Sequence, residues 1–281
     1  LSQDFSDQYS QKSWFRRVTD SGNRNCLVLL SGGKDSALCL VLLKDVDLNV
    51  KGIHFTHRWG WDISTEEARR ISDLVGTELL VYDITPEYMD EVAGKVVGRP
   101  CTMCKTIMDR KTTGYCLENG FKWICSGDNV QDSSVAKIRA YEARGGNKDL
   151  FITQYLDCVE MGITLPEGIE VLRPIIDMDS ETIEQTLLDR YGIEVRKVHE
   201  TGDKYKEYWR EGCPLQYTDS DALLTSSLMD ELLGLNRIVT EYAREHDIRA
   251  SIRLPSRRII TVPEGHEEDV MNHLKRSGYI I

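Results

Sequence analysis

The sequence contains no run of about 18 consecutive uncharged apolar residues, so no segment reads as a transmembrane helix. Its first residues, Leu-Ser-Gln-Asp-Phe-Ser-Asp, lack both the basic flank and the apolar centre of a secretory signal, and a cytoplasmic protein with no membrane attachment is expected. Basic residues are in deficit: 35 Lys and Arg against 46 Asp and Glu leave a formal charge of −11, which repels a polyanion such as tRNA unless a local basic face overrides it. Internal repeats and low-complexity tracts are missing, which excludes solenoids and biased disordered chains. What remains, 281 residues with 41% hydrophobic and 29% charged side chains, has the makeup of a soluble globular protein with one substantial core and a small second unit. In a reducing compartment its eight cysteines are thiols or metal ligands rather than a disulfide framework. Cys26, Cys39 and Cys125 lie inside apolar patterns and read as core residues.

From residue 26 onward, short apolar runs alternate with helical patterns. Strands are expected at 26–30, 50–55, 78–82 and 121–125, with helices at about 35–44, from 64, at 87–97 and at 103–118. A further strand at 171–176 precedes a helix capped at Asp179 or Ser180. Repeated units of this length predict an α/β fold, a doubly wound parallel sheet with helices on both faces. In such a sheet ligands bind just past the carboxyl ends of the strands. The expected division is a lead-in helix at 1–24, a main domain at 25–217 and a small α+β appendage at 218–281. The appendage reads as a long helix from about 221 to 245, a hairpin at 248–254 and 258–262, and a short helix at 266–276. It could serve oligomerisation or substrate capture, and a homo-oligomer is expected. The irregular stretch 127–169, with Arg144-Gly145-Gly146-Asn147, reads as a flap over the site.

Residues 31–36, Ser-Gly-Gly-Lys-Asp-Ser, stand directly between an apolar strand and the apolar helix that follows it. A strand that turns through two glycines into a helix aims free N–H groups and the positive helix end at an anion, and Lys34 adds a mobile charge. The loop lacks the four-residue spacer and terminal Gly-Lys-Ser/Thr of the Walker sequence, so the common kinase and GTPase reading fails.

A second motif, Cys101-Thr102-Met103-Cys104-Lys105, follows Gly98-Arg99-Pro100, and the proline places both thiols near a helix start. There the helix dipole, Arg99 and Lys105 are expected to favour thiolate over thiol. One C-x-x-C is weakly specific, and the second C-x-x-C or H-x-x-x-H that would complete a zinc site is missing. Gly212-Cys213-Pro214 adds a cysteine in a turn, a poor core position and a good ligand position. Three cysteines can hold three irons of a [4Fe-4S] cluster and leave the fourth open; zinc, an inert dithiol and a catalytic persulfide stay as alternatives.

The six-residue loop resembles the PP-loop signature of the ATP pyrophosphatase superfamily, whose members split ATP between the α and β phosphates and adenylate a substrate. Together with the C-x-x-C and the later cysteine, residues 25–217 resemble its cluster-dependent sulfur-transfer branch, which includes tRNA thiolases and three-cysteine sacrificial sulfur transferases. The resemblance implies that Cys101, Cys104 and Cys213 hold the cluster and that its open iron receives sulfide, supplied as such or by a sulfur-donor protein. It also implies that Ser31, Gly32, Gly33 and Ser36 donate to ATP phosphates, that Lys34 neutralises charge, and that Asp35 helps hold Mg²⁺. His54 ends the second strand where such enzymes receive adenine, although it could equally be a packing residue. Ser126-Gly127-Asp128-Asn129 follows the fourth strand, with Asp128 a magnesium or ribose ligand or else a helix cap, and Asp132 a weaker candidate. Arg173 before Pro174 matches an Arg-Pro pair frequent in the superfamily, but it is also a common strand end. Arg249, Arg253, Arg257 and Arg258 read first as a solvated edge hairpin, and second as a contact for a phosphate-bearing substrate or a subunit. Zinc fingers and a dedicated RNA-binding domain are missing, so the acceptor is expected to be small or nucleotide-like, with tRNA as the competitor. Two other classes remain: an adenylating enzyme that forms amides with ammonia, and a nucleotide-binding redox regulator.

Overall fold

The computed structural model describes residues 13–98, 100–129, 168–195 and 213–279. The elements run α1 (Ser13–Ser21), β1 (Asn25–Leu29), α2 (Lys34–Asp45), β2 (Asn49–Thr56), α3 (Asp62–Val75), β3 (Leu79–Asp83), α4 (Thr85–Val92), β4 (Lys95–Val96) and α5 (Pro100–Asn119). They continue with β5 (Trp123–Cys125), β6 (Glu170–Leu172), α6 (Ser180–Tyr191), a 3-10 turn (Pro214–Tyr217), β7 (Leu223–Leu224), α7 (Ser226–His246), β8 (Arg249–Ile252), β9 (Ile259–Val262) and α8 (Glu267–Arg276). Two compact units emerge. One takes Leu1–Phe55, Ser64–Tyr82 and Met108–Val195; the other takes Thr56–Ile63, Asp83–Ile107 and Arg196–Ile281.

The first unit carries the α/β sheet, in the order β3-β2-β1-β5-β6. β1 is parallel to β2 and to β5, and β5 is parallel to β6. Strand side chains alternate between faces, and the core divides accordingly. Leu27, Ile53 and Ile124 pack with Cys116 and Phe121. Cys26, Val28, Val50, Trp123 and Cys125 instead pack with α2, with Ala68 and Ile71 of α3, and with Ile183 and Leu187 of α6. Residues 36–43 of α2 are all buried, so this helix is covered on every side. Cys26, Cys39 and Cys125 are core residues as expected, and Cys116 joins them.

Two elements differ from expectation for local reasons. The strand expected at 171–176 stops at Leu172, because Pro174 has no N–H for a ladder and the chain turns, with Ile176 N–H donating to Arg173 O at 3.3 Å. Asp179 caps α6 by accepting the Thr182 N–H at 2.8 Å. The long helix begins at Ser226 rather than 221: Thr225 Oγ1 accepts the Leu228 N–H at 3.1 Å, and the preceding Leu223–Leu224 pairs antiparallel with β4. In the second unit β8 and β9 form the expected hairpin. The buried Asn236 of α7 closes its edge, donating to Ile252 O and accepting from Ile252 N–H, each at 3.1 Å. The start of the lead-in segment, the Arg144-Gly145-Gly146-Asn147 flap, Cys158, Arg99, Asp132 and Gly212 lie outside the described residues.

Candidate nucleotide and cysteine sites

The strand order reverses between β1, which leads outward to β2 and β3, and β5, which leads to β6, and at such a point the loops leave a crevice past the strand ends. The loop after β1 is Ser31–Ser36, and the loop after β5 begins at Ser126. Gly32 has φ +85°, and a Cβ there would lie 2.7 Å from Ser64 O and 3.1 Å from Ala68 N, so only glycine lets the loop pass α3. A Cβ on Gly127 would lie 3.0 Å from Ser36 N, which seats the β5 loop against the start of α2. The loop is cross-braced internally. Ser31 N–H donates to Ser36 Oγ at 3.2 Å, the Ser36 hydroxyl donates to Gly33 O at 3.0 Å, and Gly33 N–H donates to Ser31 Oγ at 3.3 Å. Gly33 is the N-cap of α2, and no side chain caps that helix.

Lys34 Nζ donates to Asp35 Oδ1 at 2.8 Å, and Asn129 Nδ2 donates to the same oxygen at 3.1 Å. An arriving phosphate would compete with Asp35 for the Lys34 charge. Asp128 is held by Arg173, whose Nε lies 2.5 Å from Asp128 Oδ2 and whose side chain is buried. A buried guanidinium needs such a carboxylate, so a cation at Asp128 would share it with Arg173. Both ring nitrogens of the buried His54 are engaged, Nδ1 with Leu30 O at 2.8 Å and Nε2 with Thr65 Oγ1 at 3.1 Å. An adenine contact through that ring would displace one of these bonds.

The second unit holds the three non-core cysteines. Cys101 and Cys104 lie in the first turn of α5, and Cys213 precedes the 3-10 turn. Burial pushes the Cys104 thiol well up, and the neighbouring Cys213 and Cys101 add to the effect. Loss of water raises Cys101 as well, and Lys105 and a backbone hydrogen bond only partly offset it. The expected preference for thiolate is therefore corrected: the surrounding protein outweighs the helix end and the lysine. Cys213 Sγ lies 3.5 Å from His57 Nε2. The imidazole is held down in pKa by burial, only partly countered by Asp83. Tyr88 stacks on His57, with centroids 6.2 Å apart and planes at 16°, and Trp59 lies 6.1 Å from both rings. Trp59 is fully buried and donates Nε1–H to Asp230 Oδ1 at 2.8 Å, while Arg58 pairs with the same carboxylate.

Among the described residues no three His, Cys, Asp or Glu side chains are spaced to hold a single metal ion. Cys104 nevertheless lies in the field of both Cys213 and Cys101, and among the described residues the buried Tyr88 hydroxyl has no hydrogen-bond partner. Three thiols beside an unsatisfied hydroxyl donor are the soft, sulfur-rich donor chemistry that iron–sulfur clusters use. His57 and Tyr88 were not singled out in the sequence, although His57 directly follows β2, where the strand-end rule points.

The family model described as queuosine biosynthesis protein QueC matches residues 25–97. The uncharacterized protein MJ1016 of Methanocaldococcus jannaschii is 36% identical over 270 residues, covering 95% of this chain and 89% of that protein. The tRNA-5-methyluridine(54) 2-sulfurtransferase of Pyrococcus horikoshii is 31% identical over 131 residues, 43% of this chain and 42% of the enzyme. Among solved structures, the U34-tRNA thiolase NcsA from Methanococcus maripaludis with its [4Fe-4S] cluster aligns over 96% of this chain and 79% of its own, at 16% identity and a TM-score of 0.46. With Ser31–Ser36 running from the end of β1 into the first turn of α2 where the strand order reverses, and with these matches, the chain belongs to the PP-loop ATP pyrophosphatase superfamily, in one family with the M. jannaschii protein.

Proposed function

We propose that this protein is an ATP-dependent sulfurtransferase that replaces a carbonyl-type oxygen of its acceptor with sulfur. The observation that carries the reading is the pairing, in one chain, of a PP-loop with three thiols outside the core, Cys101, Cys104 and Cys213, of which Cys104 lies in the field of the other two. The partial match to a tRNA 2-sulfurtransferase supports it, although it covers under half of either chain. A carbonyl oxygen leaves poorly. Transfer of AMP from ATP to that oxygen releases pyrophosphate and turns the oxygen into part of a good leaving group, so sulfur from hydrosulfide takes its place as AMP and a proton depart.

Each of the chain's own residues has a task in this scheme. The N–H groups of Gly32 and Gly33 and the hydroxyls of Ser31 and Ser36 bind phosphate oxygens. Lys34 exchanges its Asp35 partner for the charge that develops at the α phosphate and pyrophosphate. Asp35, and Asp128 as oriented by Arg173, are the carboxylates available to Mg²⁺. Gly127 keeps the start of α2 open by carrying no side chain, and His54 braces the end of β1. Cys101, Cys104 and Cys213 would hold a [4Fe-4S] cluster, which when bound supplies an iron without a protein ligand where sulfide is carried.

The acidic charge of −11 favours a small or nucleotide-like acceptor. The sulfurtransferase match is the observation that favours tRNA as a second reading. Both are tested by anaerobic purification, measurement of iron and acid-labile sulfide, and then AMP and pyrophosphate release with bulk tRNA or a panel of nucleobases, nucleosides and small amides. About four irons and four sulfides per chain, with acceptor-dependent AMP formation and thiolated product, is the expected outcome. AMP formation without iron would replace this reading with ammonia-dependent amide synthesis, and ATP binding without turnover would replace it with a redox regulator.

A further inference from the structure

Beside the three cysteines lie two buried polar atoms with no hydrogen-bond partner among the described residues, the Tyr88 hydroxyl and His57 Nδ1. Tyr88 is 0% exposed, and its hydroxyl lies in the field of Cys104, Cys101 and Cys213. The opposite edge of the His57 ring faces Cys213 Sγ at 3.5 Å through Nε2. These rings are fixed against Trp59, whose own N–H is satisfied by Asp230. Phenylalanine would stack as well as tyrosine here, so packing leaves the hydroxyl unexplained. A buried hydroxyl without a partner is destabilising, and its presence points to an acceptor that the described residues do not themselves supply.

Thiolates and inorganic sulfides accept hydrogen bonds and donate none. We propose that Tyr88 and His57 are positioning residues that donate hydrogen bonds to sulfur: Tyr88 through its hydroxyl to an inorganic sulfide of the group held by the three cysteines, and His57 through Nε2–H to the Cys213 thiolate. This rests on the three-cysteine reading above. It places the imidazole proton on Nε2 when Cys213 is a ligand, and it leaves Nδ1 as a buried lone pair. Hydrogen bonds to cluster and ligand sulfurs stabilise the more negative, reduced state and so raise the reduction potential.

The test uses the full chain loaded anaerobically, as wild type and as Tyr88→Phe, His57→Phe and His57→Gln, with iron and sulfide content, melting temperature and an EPR-monitored redox titration for each. Tyr88→Phe and His57→Phe should keep the fold and shift the midpoint potential negative, with faster bleaching of the visible absorbance in air. His57→Gln, which keeps an N–H donor at similar reach, should return toward the wild-type midpoint. Full cluster content with unchanged midpoints in both phenylalanine variants overturns the inference and leaves the cluster reading intact. Wild-type protein that takes up no iron and sulfide overturns the cluster reading itself.

Discussion

In the loop after β1, residues 31–36 brace one another, and the groups that confine them are main-chain atoms of Ser64, Ala68 and Gly127. The cysteine site takes Cys101 and Cys104 from one helical turn, Cys213 from a separate turn, and its aromatic wall from Thr56–Ile63 and Asp83–Ile107. The first is made largely of backbone and of hydrogen bonds within six residues. The second draws on side chains far apart in the sequence, with Cys213 against the His57 ring and Tyr88 stacked on that ring. The loop is thus assembled by contiguous residues, whereas the cysteine site depends on distant segments meeting.

The largest separation between the two should come from Cys213→Ala. Iron and sulfide should fall to background while ATP binding, read by calorimetry, is unchanged; retained iron would remove Cys213 from the ligand set. Gly32→Ala should do the reverse. The positive φ alone costs about 1–3 kcal/mol, and the close approach to Ser64 O adds to it, so ATP binding should be lost and the melting temperature should drop while the three cysteines still take up iron.

Lys34→Ala removes one charge from an otherwise intact cradle. AMP formation should fall by about 10²–10³-fold, with iron content and melting temperature close to wild type. The smallest effect is expected at Glu170, which pairs with Arg17 and with Lys122. Burial pushes its carboxyl up, but the Arg17 and Lys122 interactions together outweigh burial and hold it below the ordinary 4.5. A depressed carboxyl contributes stability above its unfolded value and loses it as pH falls through the folded one. Glu170→Gln should therefore lower stability by at most about 1 kcal/mol at neutral pH, and the difference should fade as melts are repeated below pH 4.5. A gap that persists in acid would mean that the variant acts through packing instead of charge.

Legibility in the sequence followed locality. The strands of the sheet could be read because each is a short apolar run between helical patterns, and the Asp179 cap could be read because a capping side chain bonds three residues on. The stop at Leu172 was hidden, since Val171–Ile176 is apolar throughout apart from Arg173 and Pro174, and only the turn shows where the ladder ends. β4 and β7 were hidden because two-residue strands have no periodicity, and they exist through a pairing between distant segments. At the cysteine site the residue types were legible, but their protonation was not. Lys105 and the helix start are visible in the sequence as stabilisers of thiolate, while the desolvation that outweighs them comes from the fold.

By itself the sequence determined the architecture and the nucleotide loop, because both are written in contiguous residues whose backbone preferences and apolar spacing act locally. Tertiary structure alone decided that Cys213 meets His57, that Tyr88 stacks on that ring, and that Lys34 and Arg173 are already paired with Asp35 and Asp128. Those outcomes depend on which distant segments exclude water from one another, and desolvation is a property of the packed neighbourhood that no short stretch of chain carries.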